Sequence, residues 1–571
     1  MFLQGNSFFF ENSVVYYISI VIFWSIMMLK KNDEIVINID SCTSLGSGVG
    51  RYDGMTVFAA NTAPGDHVLL HIIKAKPNYA VGKVVKVIHP SKMRINPECV
   101  VFEKCGGCAF GHLKYEDELQ IKYDQIKDNF QRLGGMDITP KPIIPSVSEK
   151  RYRNKAQFPV STDKYGLAQI GFFSPHSHRV VDCSDCLLQP EEFKKITDIF
   201  RNWIRIFKIP AYDERSGKGI LRHIYLRKAV STGEIMVCAV INGNTLPYSD
   251  ELVFELHDAM PQITSIMLNI NKKDTNVVLG EKCITLYGRD YIQDELCGLK
   301  FNISPLSFYQ VNHDTAELLY GKAAEYAGLT GKETLLDLYC GTGTIGLSMA
   351  KNVKKLIGVE IIPQAVENAV KNAEINGIEN ARFICADAAK AAEMLESEGV
   401  RPDVIVVDPP RKGCDEELIG TMAKMAPKRI VYVSCDSATL ARDCKRLSEH
   451  GYEVKEVTPV DMFPRAPHVE TVVSLVRNIS TKSYVTITVK PEELELGSLQ
   501  THGTYEEIKK YVLDNYGLKV STLNISQIKR KCGLNVGDAY NKPKSSNSRV
   551  PNCPKEKEEA IASALKYFGM I

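Results

Sequence analysis

The 571-residue chain carries a formal net charge of +2, with 44% hydrophobic and 24% charged residues. That balance excludes a disordered or fibrous protein, and a prior of about 100–200 residues per domain makes the chain modular, with three to five domains. Overall charge gives no argument for nucleic acid, so any such surface must come from local clustering.

The first thirty residues stand apart. Val14 to Leu29 is an apolar run of sixteen residues, short of the roughly 18–20 needed to span a bilayer. No basic residue precedes it and no small-residue cleavage site follows, so it makes a poor signal peptide. The expectation is an upstream start, with translation beginning at Met27 or Met28. A membrane tether, with Lys30 and Lys31 holding the remainder on the cytoplasmic side, and a buried helix are the alternatives. Sixteen cysteines are scattered singly except for one dense group near position 100. This is no disulfide scaffold; it points to a reducing, cytoplasmic setting with one metal or cluster site. Cys42, Cys238 and Cys283 read as small core residues.

From residue 31 to 92, short β-rich runs broken by glycine (EIVINID, GSGVGRYDG, MTVFAA, VLLHIIKAK, AVGKVVKVI) predict a small barrel. Lys74, Lys76, Lys83 and Lys86 would suit a phosphate-contacting face or a merely solvated one. GSGVGRYDG followed by PGDHV resembles a TRAM domain, an OB-like barrel attached to RNA-modifying enzymes.

A central α/β domain is expected over 93–310. It opens with Cys99, Cys105 and Cys108, joined at long range by Cys183 and Cys186. Three close thiols on a glycine-containing loop can wrap one soft metal centre with a fourth thiol from elsewhere; spacing alone does not separate zinc from an iron-sulfur cluster. Lys150, Arg151, Arg153 and Lys155, interleaved with Tyr152, suit RNA contact or a solvated charge run.

Over 311–478, apolar strands alternate with helical stretches: TLLDLYCGTGTIGLSMA, KLIGVE, ARFICAD, DVIVVDPP and RIVYVSC. This predicts a Rossmann-like, doubly wound parallel sheet. A glycine turn at Gly341, Gly343 and Gly346 is weak evidence alone. Strand-end carboxylates narrow it: Asp337, Glu360 where a ribose would lie, and Asp387 near an adenine. They suit a sulfonium methyl donor better than a pyrophosphate. Asp408-Pro409-Pro410 and Ser434-Cys435-Asp436 end the next two strands and face the same crevice.

A polar Ser-Cys-Asp after an apolar strand marks Cys435 as a nucleophile rather than a core thiol. Methyl transfer needs a thiol when the acceptor is uracil C5, a poor carbon nucleophile until a thiolate adds at C6. A base must then remove the C5 proton, and Glu470, in DMFPRAPHVE, is the candidate; a surface carboxylate is the alternative.

Cys99, Cys105, Cys108 and Cys186, SFYQVN, DLYCGTG, DPPRKG, VSCDSATLARD and DMFPRAPHVE occur in an order that resembles the RumA/TrmA family of RNA uracil-5-methyltransferases, over residues 34 to 478. The resemblance implies S-adenosylmethionine as cofactor, a [4Fe-4S] cluster on those four cysteines, donor contacts from Gln310, Tyr339, Glu360, Asp387 and Asp408, Cys435 as nucleophile and Glu470 as base. Barrel and cluster look more like the 23S rRNA branch than the tRNA branch. The expected partner is therefore 23S rRNA in single-stranded or loop form, with no DNA, no membrane contact and a monomeric enzyme. Asp436 departs from the Asn that many members carry, leaving local hydrogen bonding open. Alternatives are a tRNA uridine C5 methyltransferase, an amino-group methyltransferase that leaves Cys435 idle, and a non-catalytic ribosome-assembly factor. Beyond 478 lies a basic extension; residues 501–571 hold twelve Lys and Arg against seven Asp and Glu, suited to an accessory RNA-binding domain or a helical extension.

Overall fold

The computed structural model describes residues 29–478, 504–534, 536, 553–568 and 570–571. The apolar run, Leu29 excepted, lies outside them. Two compact units divide the chain, Met1–Thr481 and Lys482–Ile571.

The first unit opens with a closed barrel of β1 (Glu34–Cys42), β2 (Gly48–Tyr52), β3 (Met55–Ala59), β4 (His67–Lys76) and β5 (Tyr79–His89), in the order β1-β2-β3-β5-β4. Alternate side chains point inward, and Ile35, Ile37, Ile39, Val68, Leu70 and Ile72 fill the core together with Leu29. Glycine is needed where β1 and β2 close up, since a Cβ at Gly50 would lie 2.2 Å from the Asn38 carbonyl oxygen. Lys74, Lys76, Lys83 and Lys86 are all exposed. Asp66, fully buried in the PGDH turn, accepts from the Arg94 guanidinium at 2.8 Å and fixes the path out of the barrel.

The cysteine loop follows, then helix α1 (Tyr115–Arg132), which sends Ile126 and Phe130 into the core of the last sheet. The chain next lays Ile144 beside Val460 as a parallel bridge.

The central layer comprises β6 (Lys155–Thr162), β7 (Ala168–Phe173), β8 (Val180–Asp182), α2 (Glu191–Phe207), β9 (Leu221–Lys228), β10 (Ile235–Ile241), α3 (Ser249–Ala259), β11 (Ile263–Ile270) and β12 (Lys282–Gly288). Its sheet order is β12-β11-β10-β9-β6-β7-β8. Phe193, Ile196, Phe200 and Trp203 of α2 cover one face. On the other, Tyr225, Met236 and Cys238 join the core of the domain that follows. A hairpin, β13 (Ile292–Leu296) and β14 (Leu299–Ile303), leads onward.

The final domain runs α4 (His313–Ala327), β15 (Thr334–Leu338), α5 (Thr344–Met349), β16 (Lys355–Glu360), α6 (Pro363–Ile375), β17 (Ala381–Cys385), α7 (Ala388–Ser397), β18 (Val404–Val407), α8 (Glu416–Met425), β19 (Arg429–Ser434), α9 (Ser437–Glu449), β20 (Tyr452–Val460) and β21 (Glu470–Arg477). The sheet order is β17-β16-β15-β18-β19-β21-β20. Five strands are parallel, and β21 inserts antiparallel to both neighbours. Barrel, central α/β layer and doubly wound sheet are thus the expected fold.

The second unit contains α10 (Tyr505–Tyr516), α11 (Thr522–Lys531) and α12 (Lys555–Tyr567), packed around Ile508, Val512, Ile525, Ile528, Ile561 and Leu565. Thr504 and Ser521 open the first two helices with capping boxes.

Among the described residues no helix is long and apolar enough to cross a membrane. Cys238 is fully buried, whereas Cys42 and Cys283 are only half-buried at the margins of their clusters.

Candidate active site

The order of the last sheet reverses between β15 and β18, opening a crevice beyond the strand ends. Asp337 and Glu360 lie in β15 and β16; Asp387, Asp408 and Cys435 follow β17, β18 and β19. Because β21 runs the other way, its first residue, Glu470, stands at this same edge.

The glycine turn is held by carboxylates. Gly346 N–H donates to Asp337 Oδ2 at 2.9 Å, and Asp337 Oδ1 is buried with no partner. Burial pushes that carboxyl up to about 8, with Asp408 and Glu360 adding to the effect. Glu360 accepts from Gly341 N–H at 3.1 Å and Ile362 N–H at 2.9 Å. Gly341 has φ +57° and open space where a Cβ would stand, so its backbone borders the crevice. Asp387 caps α7 through Oδ1, which accepts from the Ala389 and Lys390 amides. Tyr339 sits in the left-handed region at φ +65°, its phenol pushed up by burial. The SFYQVN segment crosses the turn, where Phe308 O accepts from Thr342 Oγ1 at 3.3 Å, and Gln310 is buried beside it.

Cys435 shares a cavity of about 200 Å³ with Arg411, Asp436 and His468. Burial pushes its thiol up to about 11; the Glu470 and Asp408 charges act in the same direction, and the Arg411 guanidinium opposes them. Glu470 is buried, its Oε2 without a partner among the described residues. Burial and Asp408 raise it well above the carboxylate range, against Arg411. Burial likewise pushes Asp408 up to about 7. Arg411 Nη2 lies 3.1 Å from His468 Nε2. Asp436 caps α9, accepting from the Ala438 and Thr439 amides at 3.0 Å. Its carboxylate is therefore committed to a helix N-terminus, where negative charge is favourable.

Cys99, Cys105, Cys108, Cys183 and Cys186 all line one cavity of about 290 Å³, with Arg153 and Lys155. Burial, reinforced by neighbouring thiols, pushes Cys108 up to about 12 and Cys186 up to about 11. Yet among the described residues no group of three Cys, His, Asp or Glu is placed to hold a metal ion. The basic stretch expected at 150–155 turns largely inward. Arg151 binds Asp185 Oδ1 at 2.7 Å and the Cys186 and Gln189 carbonyls at 3.0 Å, bracing the second cysteine segment. Beyond Cys108, the Ala109 and Phe110 amides both donate to Arg465 O, at 2.7 and 3.0 Å, fastening the cysteine loop to the segment that leads to His468 and Glu470.

Residues 114–478 match the profile of the tRNA (uracil-5-)-methyltransferase family, and residues 30–85 that of the TRAM domain. The chain belongs to the tRNA (uracil-5-)-methyltransferase family. It is an S-adenosylmethionine-dependent RNA methyltransferase with a TRAM barrel. An uncharacterized RNA methyltransferase of Clostridium acetobutylicum is 45% identical over 79% of this chain and 99% of the relative. One from Halalkalibacterium halodurans is 43% identical over 78% of this chain and 98% of the relative. Among solved structures, the Pyrococcus abyssi tRNA (uracil-54, C5)-methyltransferase in complex with S-adenosyl-L-homocysteine is similar at 28% identity, with a TM-score of 0.64. That match covers 77% of this chain and all of the other.

Two residues of this family member's cavity escaped sequence reasoning. Arg411 stands three positions after strand-end Asp408, and His468 two before Glu470; both lay inside motifs already singled out.

Proposed function

We propose that the protein methylates uridine C5 in 23S rRNA, at a single-stranded or loop site, through a covalent bond from Cys435. The observation that carries this reading is the convergence of Cys435, Glu470, Asp408 and Arg411 at one edge of the sheet. S-adenosylmethionine supplies the methyl group as an electrophilic sulfonium, with Gln310, Tyr339, Glu360, Asp387 and Asp408 as its contacts. The unpartnered Asp337 Oδ1 and the open backbone at Gly341 fit a bound donor.

Cys435 Sγ gives up its proton to solvent and adds to C6, so that electron density passes through C5 toward the C4 oxygen. Arg411 stabilises the thiolate. C5 takes the methyl group as the sulfonium S–CH3 bond breaks and the thioether leaves; ionised Glu470 accepts the C5 proton, and the electron pair of that C–H bond restores C5=C6 as Sγ leaves. Burial, which favours the protonated form of Glu470 at rest, makes its ionised form a stronger base than an exposed carboxylate.

Cys99, Cys105, Cys108 and Cys186 would hold a [4Fe-4S] cluster, and a lining that gathers five thiols with Arg153 and Lys155 suits an anionic sulfur cluster. It would supply structural order to the loop fastened to Arg465. Zinc on the same thiolates is the alternative, since four thiolates suit it as well.

A tRNA substrate is the second reading, favoured by the similarity to the Pyrococcus abyssi enzyme. The test incubates the protein and Cys435→Ala with methyl donor and either 23S rRNA or tRNA containing 5-fluorouridine. Fluorine at C5 cannot leave as a proton, so a wild-type adduct stable on a denaturing gel and absent from the variant is expected with 23S rRNA. An adduct with tRNA alone moves the substrate; none with either sinks the C5 chemistry.

A further inference from the structure

One cavity contains none of the residues assigned to the reaction. This cleft of about 450 Å³ opens on the central sheet, lined among others by Phe173, His178, Arg179, Tyr212, Arg215 and Arg222. Two flat platforms border it. The His178 ring stacks on Phe173 at 5.1 Å between centroids, and the Arg222 guanidinium lies 4.4 Å from the Tyr212 ring centre.

Buried polarity marks the floor. Arg222 is 5% exposed and His223 8%, and both line the cleft. Arg222 Nη1 donates to the Asn271 and Lys273 carbonyls at 2.9 Å, while its Nε and His223 Nδ1 have no partner. Burying polar atoms unsatisfied is costly, which favours a ligand with polar atoms over an apolar one.

The rim carries both charges, with the acids largely engaged locally. Asp213 is turned into its own loop, accepting from Ser216 Oγ at 2.7 Å, and Glu214 holds His178 Nδ1 at 2.6 Å. Arg215 makes no ion pair within 4 Å among the described residues, although its charge helps hold the Asp213 carboxyl down, and the Arg179 guanidinium reaches Ser174 Oγ at 3.4 Å. Aromatic faces in one cleft with the Arg179 and Arg215 guanidinium groups suit a base and its phosphates.

Position points the same way. Lys155 and Gln157 of β6 line the thiol cavity, Pro159 and Ser161 of the same strand line the cleft, and Arg153 bridges to Asn312, the cap of α4. At about 3.3 Å per residue the cleft begins roughly 20 Å along β6 from that junction, a span of several nucleotides of extended RNA.

We propose that this cleft is a second nucleotide-binding site, taking an unstacked nucleotide of the same RNA that presents its uridine to Cys435. The proposal rests on the RNA reading above. Its test is equilibrium binding of a 23S rRNA fragment transcript to the full chain across a salt series, for wild type, Arg179→Ala/Arg215→Ala and Tyr212→Leu. The double variant should raise Kd roughly tenfold or more and flatten the slope of log K against log salt by about two. Tyr212→Leu should weaken binding roughly tenfold with the slope unchanged, as lost stacking does. Both variants should retain the wild-type rate of 5-fluorouridine adduct formation at saturating RNA. Unaltered Kd and slope in both variants overturn the proposal. Absence of a wild-type adduct bears instead on the C5 chemistry, since the binding series is read without it.

Discussion

Cys435 directly follows Ser434 and Glu470 directly precedes Thr471, the last pair in the antiparallel register of β19 and β21, and the Glu470 charge reaches the Cys435 thiol. Two groups far apart in sequence are thereby held across one strand spacing, by backbone pairing rather than by a flexible loop.

That placement gives the proposed base a distinct signature. Glu470→Gln should still permit addition and methyl transfer but should not remove the C5 proton. On ordinary uridine-containing RNA a covalent, methylated protein–RNA adduct should accumulate, and turnover should drop by roughly 10²–10⁴. Denaturing gels and mass spectrometry of the trapped species check this; a variant that turns over normally without adduct removes Glu470 from the role.

The thiol should be slow in the free protein. With Cys435 pushed up to about 11, the thiolate fraction grows about tenfold per pH unit below that value. Iodoacetamide labelling of the Cys435 peptide should rise in that way from pH 7 toward pH 10. Arg411→Ala removes the opposing cation and should slow labelling at every pH. Equal rates in the two proteins would deny Arg411 its part in stabilising the thiolate.

Asp337 should leave a mark on stability. Its carboxyl is raised to about 8 in the fold from about 3.9 in an unfolded chain. Between those values the native state holds a proton that the unfolded state has released, so this group's contribution is fully present below about pH 4 and is lost as pH rises through 8. Asp337→Asn cannot titrate. Its urea midpoint, compared with that of wild type from pH 5 to pH 8, should shift in favour of the variant as pH rises; a constant difference would mean that Asp337 does not change protonation over this range.

Much of this was legible in the chain. Apolar strands ending in Asp337, Glu360, Asp408 and Cys435 signalled a crevice, because strands buried on both faces must end in polar residues where they meet solvent. Glu470 was even-handed on sequence alone, and only the antiparallel insertion of β21 brings it to the same edge as Cys435. Arg151 and Lys155 read as surface charge because sequence does not reveal that Asp185 and the cysteine segments lie beside them. Asp436 left its hydrogen bonding open until α9 was seen to begin at the next residue. The central cleft joins residues of β6, β7, β8 and β9, which no local pattern connects.

The anchoring of α1 has a consequence for biogenesis. Tyr115 Oη donates to Asp461 and Lys122 Nζ is buried between Glu118 and Asp461, contacts that close over 346 and 339 residues. At about 5–20 residues per second of synthesis, roughly 20–70 s pass before Asp461 can meet α1. Until β15 to β19 are made, Ile126 and Phe130 lack the apolar partners they have in the fold, and slowed translation should lengthen that exposure to aggregation and proteolysis.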